Sequence, residues 1–195
     1  MIPFHADEAA TPLSPEECNG LLPRHVTLRQ ELNELEAANI LEADLWAFRR
    51  RTKLLLSEAF VLKLHKRMFG SVWDWAGMYR KTPRNLGIEA WRIPSEVRLL
   101  LADTEYWVAH STFAPQECAV RFHHRLVSIH PFPNGNGRHS RMMADLIARN
   151  LGEMRLSWGG NGVHTVAGEI WRRYIEALQA ADRHDYGPLL RFARD

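Results

Sequence analysis

Residues 130–141 read His-Pro-Phe-Pro-Asn-Gly-Asn-Gly-Arg-His-Ser-Arg, which places a leading histidine, a second one at 139, two glycines and two arginines within twelve positions. Pro131 blocks straight continuation of a preceding helix, and an amphipathic pattern (Met142, Met143, Leu146, Ile147) begins directly behind the loop. The loop therefore feeds a helix N-terminus, whose first N–H groups lack intrahelical partners and carry the positive end of the dipole, a natural seat for phosphate. Gly135 and Gly137 let the backbone approach such a ligand without a Cβ in the way, and Asn136 can hold the loop by bonding its own backbone. Arg138 and Arg141, three apart, project from one side of the first turn and can clasp phosphate oxygens. Two arginines there oppose the dipole and each other unless an anion is bound. His130, with an ordinary pKa of about 6.5, suits a general base. A base beside a polyphosphate cradle points to transfer of part of a nucleotide to an acceptor hydroxyl. Phe132 reads as the apolar anchor that pins the loop to the core. A bare Asn-Gly-Asn-Gly link is commonly only a turn; the histidine, phenylalanine and arginines at these offsets favour a site.

The elements that must position these residues are mostly helical. Residues 1–23, with Pro3, Pro12, Pro15 and Pro23, predict an extended arm laid over the domain or left mobile. Thr27 with Gln30 forms a capping-box pattern ahead of a helix to about 48, on which Leu28, Leu32 and Leu35 define the apolar face and Asn39 needs a partner. Further helices are expected at 57–69, 95–110, 115–128, 137–150, 163–182 and 186–193. Between Gly77 and Pro94 the periodicity breaks, which predicts a loop or small hairpin. The fold class is all-α with one small β excursion.

Composition is that of an ordinary globular domain: 195 residues, 46% hydrophobic, 25% charged, with a formal charge of +2. That charge gives no support to a nucleic-acid binder, and the run Arg49-Arg50-Arg51 with Lys53 reads as a solvated face. Cys18 and Cys118 have neither metal-ligand spacing nor a disulfide framework, which fits a reduced, cytoplasmic setting. No window approaches the length of a membrane span or a signal peptide, so neither membrane nor nucleic acid is an expected partner.

The stretch 130–141 resembles the signature of the Fic family, His-Pro-Phe-x-(Asp/Glu)-Gly-Asn-Gly-Arg-x-x-Arg, at every fixed position but one. The segments "FGSVWDWAGMYRK", "FHHRLVSIHPF" and "RRYIEALQAADRHDYGPLLRFA" extend the resemblance over roughly 55–193, and "TLRQELNELEAANI" is similar to the subgroup labelled mobile mystery protein B. The resemblance implies a Fic-type (Fido) helical domain over 55–193 with a β-hairpin flap, preceded by an arm and a regulatory helix over 1–54. It implies a protein adenylyltransferase using ATP and Mg²⁺, with His130 as base, Gly135, Asn136 and Gly137 as anion hole, Arg138 toward the β-phosphate and Arg141 toward the γ-phosphate. The target protein would add as a strand to a flap over 78–93, pinned by Ile88. Asn134 stands where the family has an acidic metal ligand, and its amide oxygen could coordinate only without the charge. The family's brake, (Ser/Thr)-x-x-x-Glu-(Gly/Asn), is matched in spacing by Thr27 to Glu31, with Leu32 at its last position. Glu36 is the second candidate, and either glutamate would pair with Arg141. Charged residues flanking a buried stripe explain both glutamates equally well. A toxin-like enzyme controlled by an antitoxin or other regulatory partner is one outcome. A nucleotide-sensing or partner-binding module, with metal binding weakened by Asn134, is the other.

Overall fold

The computed structural model describes residues 15–26, 28–48, 54–160 and 168–195. Eight α-helices follow one another among them: α1 Pro15–Cys18, α2 Arg29–Phe48, α3 Glu58–Phe69, α4 Ile93–Ala109, α5 Pro115–Ile129, α6 Asn136–Asn150, α7 Glu169–Asp182 and α8 Gly187–Arg194, with a 3₁₀ turn at Ala90–Arg92 before α4. Local chemistry sets several boundaries. Ser57 caps α3 by accepting the Phe60 N–H at 3.2 Å, and prolines stand in the first turns of α4, α5 and α8, where their missing N–H costs nothing. Among the described residues no helix is long and apolar enough to cross a membrane.

The centre of the molecule is α6. It is buried without interruption from Met142 to Ala148, as a helix surrounded on all sides must be, and it packs mainly against α5 while touching α2 and α3. Helix α5 in turn contacts α4 and α8, and α7 lies against α8. The loop that joins α5 to α6 thus springs from the two most deeply set helices.

Several expectations are met, corrected or delimited by the structure. The apolar face of α2 is not Leu28, Leu32 and Leu35: Leu32, Ile40, Ala43 and Ala47 are buried together with Glu36, whereas Leu28 and Leu35 face solvent. Spacings of four and three keep the buried set in register, and leucine's frequency on both sides of the helix hid it. Asn39 donates to the Leu35 carbonyl of its own helix at 3.1 Å. The hairpin expected between Gly77 and Pro94 is absent: the β pairing among the described residues is an isolated bridge between Leu21 and Trp73, and residues 78–89 form an irregular strap. The described part of the arm lies on the domain, with α1 followed by Leu21 buried and Leu22 N–H bonded to the Val72 carbonyl. Thr27, the 49–53 run, the start of the helix placed at 163 and residues 1–14 lie outside the described residues.

Candidate active site

Helix α5 ends at Ile129, and His130 turns the chain in the left-handed conformation (φ 54°, ψ 60°), uncommon for a residue with a Cβ. Its amide still closes on the Leu126 carbonyl at 3.2 Å, so the imidazole is fixed at a helix end while the chain swings into the loop. Phe132 then drops into the core with no exposure, stacked on His65 at 3.7 Å between ring centroids. Asn136 closes the loop by a reciprocal pair, accepting the Phe132 N–H at 2.9 Å and donating to the Phe132 carbonyl at 2.8 Å.

Gly135 precedes α6 at φ 78°, and a Cβ there would meet the Phe69 ring at 2.6 Å; only glycine satisfies both the angle and the space. Helix α6 starts at Asn136 with no side-chain cap and no acidic residue in its first turn. Its leading amides are the orphan donors that suit an anion. Arg141 carries an NH1 nitrogen that is out of solvent and has no hydrogen-bond partner, and it lies beside Gly137, 4.0 Å from where a Cβ on that glycine would lie. The Tyr174 ring of α7 lies 5.4 Å from this guanidinium, and the Tyr174 hydroxyl meets His123 Nε2 at 3.1 Å. A buried donor without an acceptor is expensive, so an anion at the α6 N-terminus would relieve the orphan amides and the orphan NH1 together.

Arg138 is differently placed. Its NH1 donates to Glu36 Oε2 at 2.6 Å, its guanidinium lies 4.8 Å over the Phe69 ring, and the other oxygen of Glu36 accepts the Trp73 indole N–H at 2.7 Å. The structure thus brings Glu36 to the site, but against Arg138 and not Arg141. Glu31 stays on the exposed first turn of α2, accepting the Leu28 N–H at 3.3 Å.

The other wall is the strap. Buried Arg80 donates through Nε to the His130 carbonyl at 2.7 Å, through NH1 to the Thr82 carbonyl at 2.9 Å and through NH2 to the Ile88 carbonyl. Arg80 N–H also reaches the Pro131 carbonyl at 2.9 Å, and Ile88 N–H the Ile129 carbonyl at 3.4 Å. Gly87 crosses directly over the histidine: at φ 91°, a Cβ there would lie 2.5 Å from His130 Cβ. Ile88 therefore sits beside the loop as expected, on a strap and not on a hairpin. Burial, then the charge of Arg80, pushes the His130 imidazole down to about 4, so it is neutral near pH 7 and able to accept a proton.

Asn134 turns inward on its own loop, its Oδ1 accepting the Gly135 N–H and its carbonyl meeting His65 Nε2 at 3.1 Å. Among the described residues no group of three or more His, Cys, Asp or Glu could hold a metal ion, and the one amide oxygen at the expected position is already engaged by a backbone donor. These residues do not fit a protein-held Mg²⁺.

Residues 55–148 match the Fic/DOC family model. Over that segment the chain is similar to the Fic/DOC family. Among known proteins, the protein adenylyltransferase Fic of Aedes aegypti is 27% identical over 139 residues, covering 69% of this chain and 26% of the relative. The chain spans about a quarter of the length of the curated relatives it matches there. Among solved structures, the Bartonella tribocorum BepC protein with bound AMPPNP superimposes with a TM-score of 0.69 at 18% identity, over 93% of this chain and 97% of that one. The N-terminal Fic domain of a putative cell filamentation protein from Bartonella quintana gives 0.71 at 17% identity, over 92% and 91%. Both share the fold described above.

Two of the residues facing this site come from outside the matched segment: Glu36 on α2 and Tyr174 on α7. Sequence reasoning did not single out Arg80, Gly87, His65, Trp73 or Tyr174. For His65 a signal existed, because it occupies the apolar stripe Val61, Leu64, His65, Met68, Phe69 of α3, where a polar ring needs partners. For Arg80 none did, since an arginine in an irregular segment reads as a solvated charge.

Proposed function

We propose that this chain transfers AMP from ATP to a hydroxyl on a target protein. The observation that carries the reading is a neutral, buried histidine at one lip of an uncapped helix N-terminus whose first two turns hold two arginines, one with a partnerless buried nitrogen. His130 takes the proton of a Ser, Thr or Tyr hydroxyl, the oxygen attacks the α-phosphorus, and the bond to the pyrophosphate oxygen breaks. The amides around Gly135, Asn136 and Gly137 receive the phosphate charge; Arg138 serves the β-phosphate and Arg141 the γ-phosphate. Relatives named protein adenylyltransferase Fic, and AMPPNP bound in BepC, support the nucleotide chemistry. The Mg²⁺ that accompanies ATP is held by the triphosphate, since Asn134 offers no charge. The target segment docks along the strap, with Ile88 beside the base.

Glu36 is the brake in this reading. It occupies the Arg138 guanidinium that the β-phosphate needs, while Glu31 does not reach the site. Glu36→Gln keeps an acceptor for the Trp73 indole and releases the arginine, so labelling should rise several-fold; unchanged labelling in the folded variant removes Glu36 from control. A toxin-like role in a reduced cytoplasm, an antitoxin or other regulatory partner, and membership of the mobile mystery protein B subgroup are the finer parts of the proposal. The free Cys18 and Cys118 support its reduced setting.

A nucleotide sensor is the second reading, and the engagement of Asn134 with the Gly135 N–H favours it. Incubation with α-labelled ATP and a cell lysate decides. Transfer is expected from the wild type and not from His130→Ala, which should bind AMPPNP within about threefold of wild type because a base acting on the acceptor contributes little to holding the triphosphate. Absence of wild-type transfer with retained binding selects the sensor; full transfer by the variant refutes the assigned base.

A further inference from the structure

His65 of α3 has no exposed surface and lies in an apolar stripe where a leucine or methionine would satisfy packing alone. Its two ring nitrogens nevertheless meet backbone groups on opposite sides. Nδ1 accepts the Gly77 N–H at 3.0 Å, so the proton of the neutral ring sits on Nε2, which donates to the Asn134 carbonyl at 3.1 Å. Burial and the neighbouring His139 hold the ring neutral, and stacking on Phe132 sets its plane.

The peptide it grips is the one that leads into the anion cradle. Asn134 C=O and Gly135 N–H belong to the same trans peptide unit and point in opposite directions across it. A carbonyl drawn toward α3 therefore turns the Gly135 N–H away from the core. Oδ1 of Asn134 sits on that N–H, which marks the side it faces. A peptide that precedes a glycine flips with little steric penalty, because glycine tolerates the backbone angles of both orientations. Gly135, at φ 78°, is such a residue; the Asn134 oxygen that caps its N–H belongs to the loop itself, whereas His65 anchors the carbonyl end of the same peptide from α3.

We propose that His65 is a positioning residue of the cradle: by donating Nε2–H to the Asn134 carbonyl, it fixes the Asn134–Gly135 peptide so that its N–H, capped by Asn134 Oδ1 in the ligand-free protein, faces the side where an incoming phosphate takes the place of that oxygen. The inference rests on the nucleotide-binding reading of the loop. Side-chain amides separate the two roles of the ring, since asparagine reaches about as far as Nδ1 and glutamine about as far as Nε2. His65→Asn keeps an acceptor for Gly77 and loses the donor to Asn134; His65→Gln keeps that donor.

Binding of AMPPNP, measured by calorimetry on the full chain, should weaken at least tenfold in His65→Asn and stay within about threefold in His65→Gln, with cooperative thermal unfolding retained in both. In the ligand-free protein the Gly135 amide resonance should shift in His65→Asn and hold its position in His65→Gln. Equal weakening in the two variants, in step with their thermal midpoints, would reduce His65 to packing and overturn the assignment. Wild-type affinity in His65→Asn would overturn it as well. Should wild type bind no AMPPNP, the cradle reading fails by itself, and the Gly135 resonance still decides whether His65 fixes the peptide. An unmoved resonance in His65→Asn rejects the lock.

Discussion

The loop from His130 to Asn136 and the strap from 78 to 89 face each other across the same histidine, yet they are held by opposite means. The loop closes on itself, Asn136 binding both polar groups of a residue four positions earlier. The strap has no pairing ladder; one guanidinium gathers the carbonyls of His130, Thr82 and Ile88. Closure by neighbours is written as a spacing and survives as a motif. Closure by a remote cation exists only once the fold has surrounded it, and it ties the strap to the position of His130 itself.

Acid should separate the two regions most strongly. His130 and His139, which flank or underlie the loop, are held down at about 4, mainly by burial, and His65 and His123 are lowered too, whereas the strap depends on an arginine. In the unfolded chain these imidazoles protonate near 6.5, so between about 6.5 and 4 the unfolded state binds more protons. Their contribution to stability is complete above 6.5 and is lost as pH falls toward 4. Between pH 7.5 and 5, His130 and His139 should each remove about 2 kcal/mol. Asp145, raised to about 6 by burial, works in the opposite direction over 4 to 6 and offsets part of the loss. Denaturant unfolding at the two pH values checks the sign; equal or greater stability at pH 5 would contradict it.

Next in size, Arg80→Ala leaves three carbonyls without their donor and should cost about 3 kcal/mol, at roughly 1 kcal/mol for each. Limited proteolysis should then cut within 78–89 while the loop stays protected, and transfer activity should be lost. Arg80→Lys, with a point charge in place of a fork, should recover only part. Intact resistance to protease in Arg80→Ala would show that the guanidinium does not hold the strap.

Smaller again, Asn136→Ala orphans the Phe132 N–H and carbonyl and should cost about 2 kcal/mol. Its effect should fall on AMPPNP affinity and leave the strap resistant. Cutting of the strap in this variant as readily as in Arg80→Ala would show that the two regions are not independent.

The same contrast accounts for what could be read beforehand. Helices α3 to α6 were legible because Ser57, Pro94, Pro115 and Pro131 mark their ends and their apolar periods are regular. The loop was legible because its histidine, glycines and arginines act within a dozen residues. The face of α2 was not, since leucines lie on both of its sides and what selects the buried one is a contact from Glu36 to Arg138, 102 residues away. The hairpin failed for a related reason: hydrogen bonds that would have formed a ladder go to Arg80 and to the loop carbonyls. Tyr174, on a helix beyond the matched segment, becomes part of the site only through tertiary packing against Arg141.

The junction of Glu36 with Trp73 also gives the molecule an intrinsic optical probe. The Trp73 indole N–H is bonded to the carboxylate that holds Arg138, and its ring stacks on Trp75 at 5.0 Å with 23° between the planes. Two indoles so close and nearly parallel form a coupled chromophore with a circular-dichroism couplet of its own. Any occupant that draws Arg138 off Glu36 changes the charge balance at one of the two indoles. Engagement of that arginine is thereby reported as a change in ultraviolet ellipticity and indole emission, visible in unlabelled protein and erased by Trp73→Phe.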